Sequence, residues 1–496
     1  MPYPNDQKSK KYLFIFLTWF LFSDSSYSIT LNVSGWPISL GPQHSPSQPR
    51  PNDPLIGRLT CPTLTQLNLI KGISQPLLLK SIAIKPKAWT LSLNQEVRWW
   101  SGRHVSLVDL ELFIRNQLPQ VMKKQFLNVW QIPKYHLVLD HAQHRVHVNW
   151  DTSPPFGPYL FNDIPFYRSL TPNGFECAGK FKLSKSESHL MIATHQKSLS
   201  FKKIKVHTTP FLSVNTKAHL HFNFAQDYPA NPWTRLPGEK ISCGRPIDMP
   251  LISTILWNLD SPHAKNRTLR KALSLLIPRR SILRSTTANL GNLISGPFLK
   301  AHPGYHQGLR VLKFNPSKAD HLLTQLGYIK NPQLKRLTPW GSSFTLKLRV
   351  SHLQPNVLTK IITDSFQSLG ISISLTTDPD ETVDGTLTGL FLPWPHGNLL
   401  PLLHSRSPKV NDLHSPNLGN LDDLLVDYAK SLTFEQPNFY LLKKIHKILY
   451  NTEPFSVIIQ HRACMVPIKG FPKIPKILIR NPDWFLNLVL GSRATN

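Results

Sequence analysis

The sequence has 496 residues, of which 41% are hydrophobic, and this apolar content is enough for a globular protein. Because the chain is too long for one small core, we expect two or three lobes. Lysine and arginine number 57 against 28 aspartate and glutamate residues, and the formal net charge is +29 at pH 7. The basic residues are scattered, which is typical of a cationic surface; an anionic partner such as nucleic acid, membrane headgroups or an acidic ligand is the alternative.

The N-terminus has the features of a secretory signal. Three lysines within residues 8–11 precede an apolar run over residues 12–22, and a small-residue site follows at residues 26–28. The apolar run is about half as long as the roughly 20 residues that a spanning helix needs. We therefore predict a signal peptide over residues 1–28 and a periplasmic or secreted protein, with an uncleaved interfacial anchor as the alternative. Export weakens the nucleic-acid alternative, because an exported protein meets no genome.

Short strands and one helix are predicted in the first part of the chain. Residues 29–33 and 89–93 alternate as strands, and residues 137–150 predict a hairpin with its turn near 141–144. A helix is expected after Ser106, the N-cap of a capping box whose N3 carboxylate belongs to Asp109.

Three histidines lie at or near the predicted hairpin turn: His141, His144 and His147. Spacings of three across a turn do not converge on one face of a strand or a helix. We therefore expect a solvated hairpin tip rather than a metal site, and no metal or other cofactor.

Two amphipathic helices organise residues 256–328. The first has apolar residues at i, i+3, i+4, i+7 and i+8, namely Leu269, Ala272, Leu273, Leu276 and Ile277. The second begins at Asn315 and Pro316, which suit the N-cap and the first turn, and ends before Gly327. Its apolar face consists of Ala319, Leu322, Leu323 and Leu326.

The C-terminal part predicts a βαβ unit and two further helices. Residues 344–350 and 371–375 alternate as strands, and residues 358–366 between them have helical spacing and are closed by Gly370. Strand, helix and strand within about 30 residues form a βαβ unit with a right-handed crossover. Apolar residues at helical spacing recur over residues 421–432 and 441–449.

The four cysteines do not indicate a metal or redox site. Cys61, Cys177, Cys243 and Cys464 lie far apart, and no CxxC spacing is present. An exported protein is compatible with one or two disulfides, which the sequence cannot pair.

The residue order within 256–328 resembles the family 5 extracellular solute-binding proteins, the oligopeptide-, dipeptide- and nickel-binding receptors of bacterial ABC importers. WNL at 257–259, LRKALS at 269–274 and NPSKADHLLTQLGY at 315–328 stand where the family reads roughly F-N-T, V-R-Q-A-L-S and D-P-E-K-A-x-x-L-L-x-x-x-G-Y. Further similar segments lie at residues 39–42, 99–110 and 177–183.

The resemblance implies a fold and a division of the chain. The expected fold is α/β, of the periplasmic-binding-protein-like type II class, in its large three-lobed form with a cleft between two main lobes. The expected segments are a signal peptide (1–28), lobe I (29–75), a lobe Ib insertion (76–170), the second part of lobe I (171–255), lobe II (256–468) and a lobe I return segment (469–496).

The resemblance also implies a function. We expect an exported solute-binding protein of an ABC-type importer, which captures a peptide or other small solute in the interlobe cleft and delivers it to membrane permease subunits. The protein is expected to be a monomer, to bind no nucleic acid and not to be an enzyme, and no GxSxG, P-loop, HExxH or GxGxxG motif is present. A Ser/His/Asp site built from distant residues stays open, because these residue types are plentiful.

Two alternatives to this function remain. One is a degenerate relative that acts as a surface binding or interaction protein without a transport role. The other, which we place last, is a regulator with a solute-binding domain and DNA-binding helices, because an export signal stands where such helices would lie.

The resemblance places the ligand-binding residues around the predicted cleft: Leu40, Trp257, Asn258, Phe391, Trp394 and His396. In peptide-binding relatives, an aspartate in a cleft loop pairs with the α-amino group of the peptide. The equivalent loop here, FLPWPHGN at 391–398, follows a strand predicted over 384–390 and contains no carboxylate. We therefore hypothesise that the amine anchor is missing; the alternative is that Asp384 or Glu381 supplies the charge.

Overall fold

The computed structural model describes residues 27–34, 61–68, 73–126, 131–162, 164–171, 174–178, 181–185, 190–194, 201–209, 220–224, 245–287, 291–300, 302–350, 357–391, 403–406, 418, 420–432 and 437–467. The α-helices within these residues are α1 (Leu107–Phe126), α2 (Arg267–Leu275), α3 (Arg279–Thr287), α4 (Pro316–Gln325), α5 (Val357–Gln367), α6 (Leu421–Ser431) and α7 (Phe439–Thr452). None of these helices is long and apolar enough to cross a membrane.

The strands of the described residues are β1 (Tyr27–Ser34), β2 (Thr65–Asn68), β3 (Ile73–Pro76), β4 (Leu79–Lys85), β5 (Ala88–Leu93), β6 (Tyr135–Asp140), β7 (Arg145–Trp150), β8 (Tyr167–Thr171), β9 (Gly174–Cys177), β10 (Phe181–Lys185), β11 (Leu190–Thr194), β12 (Phe201–Thr209), β13 (Leu220–Phe224), β14 (Arg245–Trp257), β15 (Gly291–Asn292), β16 (Thr345–Arg349), β17 (Ser372–Thr376), β18 (Gly385–Phe391) and β19 (Phe455–Pro467).

The helix predicted after Ser106 is confirmed as α1. The Ser106 amide donates to Asp109 Oδ2 at 2.9 Å, and the Asp109 amide donates to Ser106 Oγ at 3.1 Å. These reciprocal bonds are the predicted capping box. Arg103 adds an ion pair to the same carboxylate at 2.7 Å, so the first turn of α1 is also tied to the preceding loop.

The two helices that organise residues 256–328 are confirmed as α2 and α4. The Asn315 side chain caps α4 by accepting from the Lys318 amide at 2.9 Å, and Gly327 follows the helix with a φ of 82°, as expected past a helix end. Every apolar residue predicted to face inward from the first helix is fully buried: Leu269, Ala272, Leu273, Leu276 and Ile277. Helix α3 was not predicted, because its nine residues, RRSILRSTT, contain too few apolar side chains to show a helical period. One of these side chains, Ile282, is fully buried.

The predicted βαβ unit is confirmed. β16 and β17 are parallel, with Leu346 opposite Ile373 and Leu348 opposite Leu375, and α5 connects them. The two C-terminal helices are confirmed as α6 and α7. Mixed helices and strands of this kind agree with the predicted α/β class.

The largest sheet has eleven strands, in the order β10-β11-β12-β1-β13-β19-β14-β18-β16-β17, with β15 pairing to β19 off this path. The first predicted strand is confirmed as β1, which is parallel to both of its neighbours. Its first two residues fall inside the predicted signal segment, and the rest of residues 1–28 lies outside the described residues.

A separate four-stranded sheet, β4-β5-β7-β6, contains the predicted hairpin. β6 and β7 pair with Asp140 opposite Arg145. The rings of Trp89 and Trp150 meet edge to face at 4.8 Å, and Trp89 is fully buried. Helix α1 is bonded to this sheet through the Tyr135 hydroxyl, which donates to the Ile114 carbonyl at 3.1 Å.

One disulfide joins Cys61 and Cys177, 116 residues apart. Closing so long a loop stabilises a protein mainly by restricting its unfolded chain. Cys243 lies outside the described residues, and Cys464 lies in β19 opposite Pro246.

Two clusters of buried apolar side chains form the cores of the described residues. One joins the four-stranded sheet and α1 with α6 and α7, and the other surrounds α2, α4 and α5. The Phe156 amide donates to the Ala429 carbonyl of α6 at 3.1 Å. Helices α6 and α7, which the sequence assigns to lobe II (256–468), therefore pack on the unit assigned to lobe Ib (76–170). The limits of the lobes themselves stay predictions.

Two buried arginines fix α2 and α3 to the start of β19. Arg270 is 3% exposed and donates to the carbonyls of Ala264 at 2.6 Å and Glu453 at 2.8 Å. Arg279 is 5% exposed and donates from Nε to the Val457 carbonyl at 2.7 Å. Carbonyl acceptors replace the water that these guanidinium groups lose on burial.

Glu453 lies beside these arginines at the end of α7, with a φ of 47°. Burial raises the pKa of Glu453 to about 6, although the guanidinium groups of Arg279 and Arg270 oppose the shift. Its Oε2 atom has no hydrogen-bond partner among the described residues. The carboxyl group therefore favours the protonated form more in the folded than in the unfolded state.

Leu273→Asp and Leu323→Asp are each expected to abolish soluble export. Both leucines are 0% exposed in the core around α2, α4 and α5, and an unpaired buried carboxylate costs several kcal/mol, comparable to the stability of a domain. Leu112→Asp, at an exposed position of α1, is the matched control. Export yield and thermal melting measure the effect, and normal melting of either core variant would contradict the assignment of these helical faces.

Glu453→Gln is expected to stabilise the protein at pH 7.5. A carboxyl group whose folded pKa is raised from 4.5 to about 6 stabilises the fold below pH 4.5, and this contribution is lost as the pH rises through about 6. The difference at neutral pH is about 2 kcal/mol.

Denaturant unfolding at pH 4 and pH 7.5 measures this gain. The variant should be more stable than the wild type at pH 7.5 and nearly equal to it at pH 4. Asp364→Asn, in an exposed pair on α5, is the control. A loss of stability at pH 7.5 would mean that the ionised carboxylate stabilises the arginines instead.

Candidate functional site

The strands β14 and β19, each 13 residues long, run through both halves of the large sheet. The first residues of β14 pair with the last residues of β19, which also pair with β13. The last residues of β14 lie between the start of β19 and β18. The register between β14 and β19 shifts between Asp248 and Ile252, so the neighbours of the two long strands change at this point.

Four polar side chains meet at this shift, and we call Asp248, Asn292, Gln460 and Arg462 the crossing cluster. Arg462 Nε donates to Asp248 Oδ1 at 2.5 Å, and Asn292 Nδ2 donates to the same oxygen at 3.0 Å. Asn292 Nδ2 also lies 3.2 Å from Gln460 Oε1. The side chains of Asp248 and Arg462 are 23% and 30% exposed, so both are partly exposed to solvent.

The strand that leads into the loop predicted to bind ligand pairs with β14 three residues from Asp248. Phe391, the last residue of β18, pairs with Leu251, which lies within the register shift. Residues 392–398 follow Phe391 in the sequence and lie outside the described residues. A hydroxyl–imidazole contact adjoins the cluster, with Ser253 Oγ 2.7 Å from His461 Nε2.

The structure does not bring all the predicted ligand-binding residues together. Trp257 pairs with Gly385 at the opposite end of the β14–β18 ladder from Phe391, six residues or roughly 20 Å away. Leu40, Trp394 and His396 lie outside the described residues, and nothing is described of the Phe391 side chain.

Trp257 and Asn258 are both held by protein groups. Trp257 is 0% exposed, and its indole N–H donates to Ser456 Oγ at 2.9 Å. Asn258 is buried, and its Nδ2 donates to the Val383 carbonyl at 2.9 Å. These contacts fix the junction of β14 with β18 and β19. A role of the two residues in ligand binding stays a prediction.

Asp384 and Glu381, the alternative sources of a carboxylate, have protein partners too. Asp384 is buried and accepts from Ser261 Oγ at 2.8 Å and from the Lys347 amide at 2.9 Å. Glu381 pairs with Lys347 Nζ at 3.1 Å. Asp384 precedes β18, so it lies at the far end of this strand from Phe391.

The histidines of the hairpin do not form a cluster of metal ligands. His147 Nδ1 lies 3.1 Å from Thr90 Oγ1 of the neighbouring strand, and His141 and His144 are exposed. Nowhere among the described residues do three or more His, Cys, Asp or Glu side chains form a group that could hold a metal ion.

The sequence contains no local signal for the crossing cluster. Asp248 and Arg462 are 214 residues apart, and neither belongs to a recognisable motif. Their meeting depends on the pairing of β14 with β19, which residue spacing along the chain does not reveal.

Comparison with known proteins agrees with the fold. Residues 221–398 match the family model described as bacterial extracellular solute-binding proteins, family 5 middle. The resemblance to family 5 is confirmed. No curated protein matches the chain.

Solved structures extend the family 5 likeness over most of the chain. NikZ from Campylobacter jejuni, in complex with Ni(L-His), is 16% identical with a TM-score of 0.69, covering 90% of this chain and 95% of that one. NikA from Brucella suis, in complex with Fe(III)-EDTA, is 17% identical with a TM-score of 0.71, covering 90% and 96%. The oligopeptide-binding protein AppA from Bacillus subtilis, in complex with a nonapeptide, is 14% identical with a TM-score of 0.67, covering 92% and 97%. The fold is therefore the type II periplasmic-binding-protein fold that the sequence predicted.

Asp248→Asn is expected to destabilise the protein by about 1–3 kcal/mol, because it leaves the partly buried Arg462 guanidinium without its charged partner. The double variant Asp248→Asn/Arg462→Gln should lose less than the sum of the single variants, with a coupling energy of about 1 kcal/mol or more.

A double-mutant cycle on the exposed Lys360–Asp364 pair of α5 is the control. Pairs of this i,i+4 kind are worth about 0.3–0.5 kcal/mol. Denaturant unfolding measures both cycles, and equal coupling in the two pairs would show that the crossing cluster is no more than a surface ion pair.

Proposed function

We propose that the protein is an exported solute-binding protein, which captures a small solute between two lobes and delivers it to the permease of an ABC-type importer. The observation that carries this proposal is the pair of strands β14 and β19, which change neighbours at a register shift beside partly exposed charges. Two strands with such a shift suit a hinge, because a bulge bends a strand without removing it from the sheet.

The fold supports the same proposal. Proteins of the same fold bind a nickel–histidine complex, Fe(III)-EDTA or a nonapeptide, and family 5 consists of binding proteins. Action outside the cytoplasm as a monomer, without catalysis, is part of the proposal. The predicted signal segment supports export.

The crossing cluster is proposed to contact the solute. One carboxylate and one guanidinium group are joined there by a hydrogen bond of 2.5 Å, so the cluster offers donors and acceptors without a large net charge. The loop 391–398 has no carboxylate, and Asp384 is occupied by Ser261 and Lys347. An ammonium group taken into a closed cleft without a counter-charge would lose its hydration without compensation.

The proposed ligand is therefore a neutral or anionic solute rather than a peptide with a free N-terminus. The Arg462 nitrogen atoms that do not bond to Asp248 would donate hydrogen bonds to an acceptor atom of the solute. Asp248 is a weak counter-charge for an ammonium group, because Arg462 Nε and Asn292 Nδ2 already bind its Oδ1 atom.

A thermal-shift screen of the mature protein tests this proposal. The probes are di- to pentapeptides with free or acetylated N-termini, sugars, anionic metabolites and metal chelates. A ligand at 100 times its dissociation constant should add about 2.7 kcal/mol to stability, and we expect this from a neutral or anionic probe. Arg462→Gln should lose the shift, and Asp364→Asn should keep it.

Two results would count against the proposal. Stabilisation by free peptides that disappears on N-acetylation would restore an amine anchor and refute the ligand class. A ligand that binds but whose uptake is unchanged in cells lacking this protein would favour a surface binding protein without a transport role.

A further inference from the structure

Residues 329–343, which we call the ribbon, expose large apolar side chains. Ile329 is 53%, Leu334 is 71% and Trp340 is 60% exposed, and Phe314, just before α4, is 47% exposed. Nine large hydrophobic side chains of the described residues are exposed, and these four fall within one short part of the chain. Apolar residues scattered singly need no explanation, but a local concentration does.

The backbone of the ribbon is regular. The Leu337 amide donates to the Ile329 carbonyl at 2.7 Å, and the Phe344 amide donates to the Arg336 carbonyl at 2.7 Å. Three short antiparallel segments are therefore joined by two turns at opposite ends. Leu334 lies in the first turn and Trp340 in the second.

A buried arginine fixes the ribbon to the body of the protein. Arg336 is 0% exposed and donates to the carbonyls of Tyr328 at 2.8 Å and Leu369 at 3.0 Å, and to the carboxylate of Asp320. The apolar side chains are therefore displayed by an ordered element.

Neither the backbone conformation nor the burial of residue 334 explains why it is a leucine. Its φ is 61°, a left-handed conformation that costs an L-residue roughly 1–2 kcal/mol. Its carbonyl packs on Gly370, where an added Cβ would lie 2.2 Å from that oxygen. The side chain is mostly exposed, so burial in this chain does not offset the strain.

Trp340 presents one face of its indole ring to the outside. Its ring stacks on the His263 imidazole with centroids 5.2 Å apart and an interplanar angle of 19°. The imidazole is itself held by the Tyr328 hydroxyl, 2.9 Å from Nδ1. The His263 imidazole therefore orients the indole ring from one face, and the opposite face is exposed.

The ribbon and the chain just before it are rich in exposed basic residues. The ribbon contains no acidic residue, and Lys330 and Lys335 are exposed. Exposed basic residues also precede it, namely Arg310, Lys313 and Lys318. The one carboxylate between residues 310 and 343 belongs to Asp320, and it is already bound to Lys330 and Arg336.

We propose that the ribbon docks on an anionic membrane surface, with Leu334 and Trp340 entering the headgroup region and Lys335 contacting lipid phosphates. Tryptophan favours the membrane interface, and each lysine near an anionic surface adds roughly 1 kcal/mol. Leu334 and Trp340 lie in separate turns with the exposed Lys335 between them, which suits insertion of single side chains between lipids. A protein partner would need a contiguous, well-packed apolar patch. This inference goes beyond solute capture and does not depend on the solute.

Vesicle co-sedimentation of the mature, full-length protein tests the proposal. The vesicles consist of phosphatidylcholine alone or with about one quarter of phosphatidylglycerol. We expect binding to the anionic vesicles that falls roughly tenfold in Leu334→Ser/Trp340→Ser and roughly fivefold in Lys335→Gln. Leu112→Ser/Tyr440→Ser, which removes two exposed apolar side chains elsewhere, should bind like the wild type.

The control separates the ribbon from the general positive charge. Equal binding of the wild type and the ribbon variants would attribute adhesion to the scattered basic residues and overturn the proposal. Absence of wild-type binding would overturn it as well, and a cross-link from position 340 to a permease protein in that case would assign the ribbon to a protein partner. The ribbon variants should melt like the wild type, both alone and with a stabilising solute. A loss of solute binding is therefore measured separately from a loss of membrane docking.

Discussion

The pairing of β14 with β19 is the constraint on which the rest of the described structure depends. Each strand belongs to both halves of the large sheet, so its hydrogen bonds join β13 and β1 on one side to β18 and β16 on the other. Backbone groups that leave a sheet must find other partners. The halves therefore cannot separate without breaking this ladder, whose register is interrupted between Asp248 and Ile252. A binding protein with a hinge needs this combination of attachment and local freedom.

Buried cations stabilise the helical layer on one side of that ladder. Arg270 and Arg279 donate to backbone carbonyls from the end of α7 and the start of β19. Their side chains therefore join α2 and α3 to this part of the chain. The carboxyl group of Glu453 lies beside them, and burial raises its pKa. Removal of either arginine would leave carbonyl groups without donors inside the core, which is more costly than the loss of an exposed ion pair.

The charge of the surface and the charge of the candidate site differ. The whole chain is strongly basic, yet the crossing cluster combines one carboxylate with one guanidinium group. Net charge is a property of the whole surface, where many lysines act together. The proposed selection of a small solute rests instead on a few directed hydrogen bonds at the crossing cluster.

The sequence by itself determined the local elements and the resemblance to family 5. The capping box of Ser106 and Asp109, the buried stripe of α2 and the βαβ unit were all readable, because each depends on residues a few positions apart. It did not reveal α3, whose apolar pattern is weak, or the partner of Cys61. Trp257 belongs to a motif of the resemblance, but only the structure shows its indole bonded to Ser456. The crossing cluster and the packing of α6 on Phe156 were decided by tertiary structure alone. Contacts between residues far apart in the chain depend on strand pairing and core packing, and periodicity along the sequence predicts neither.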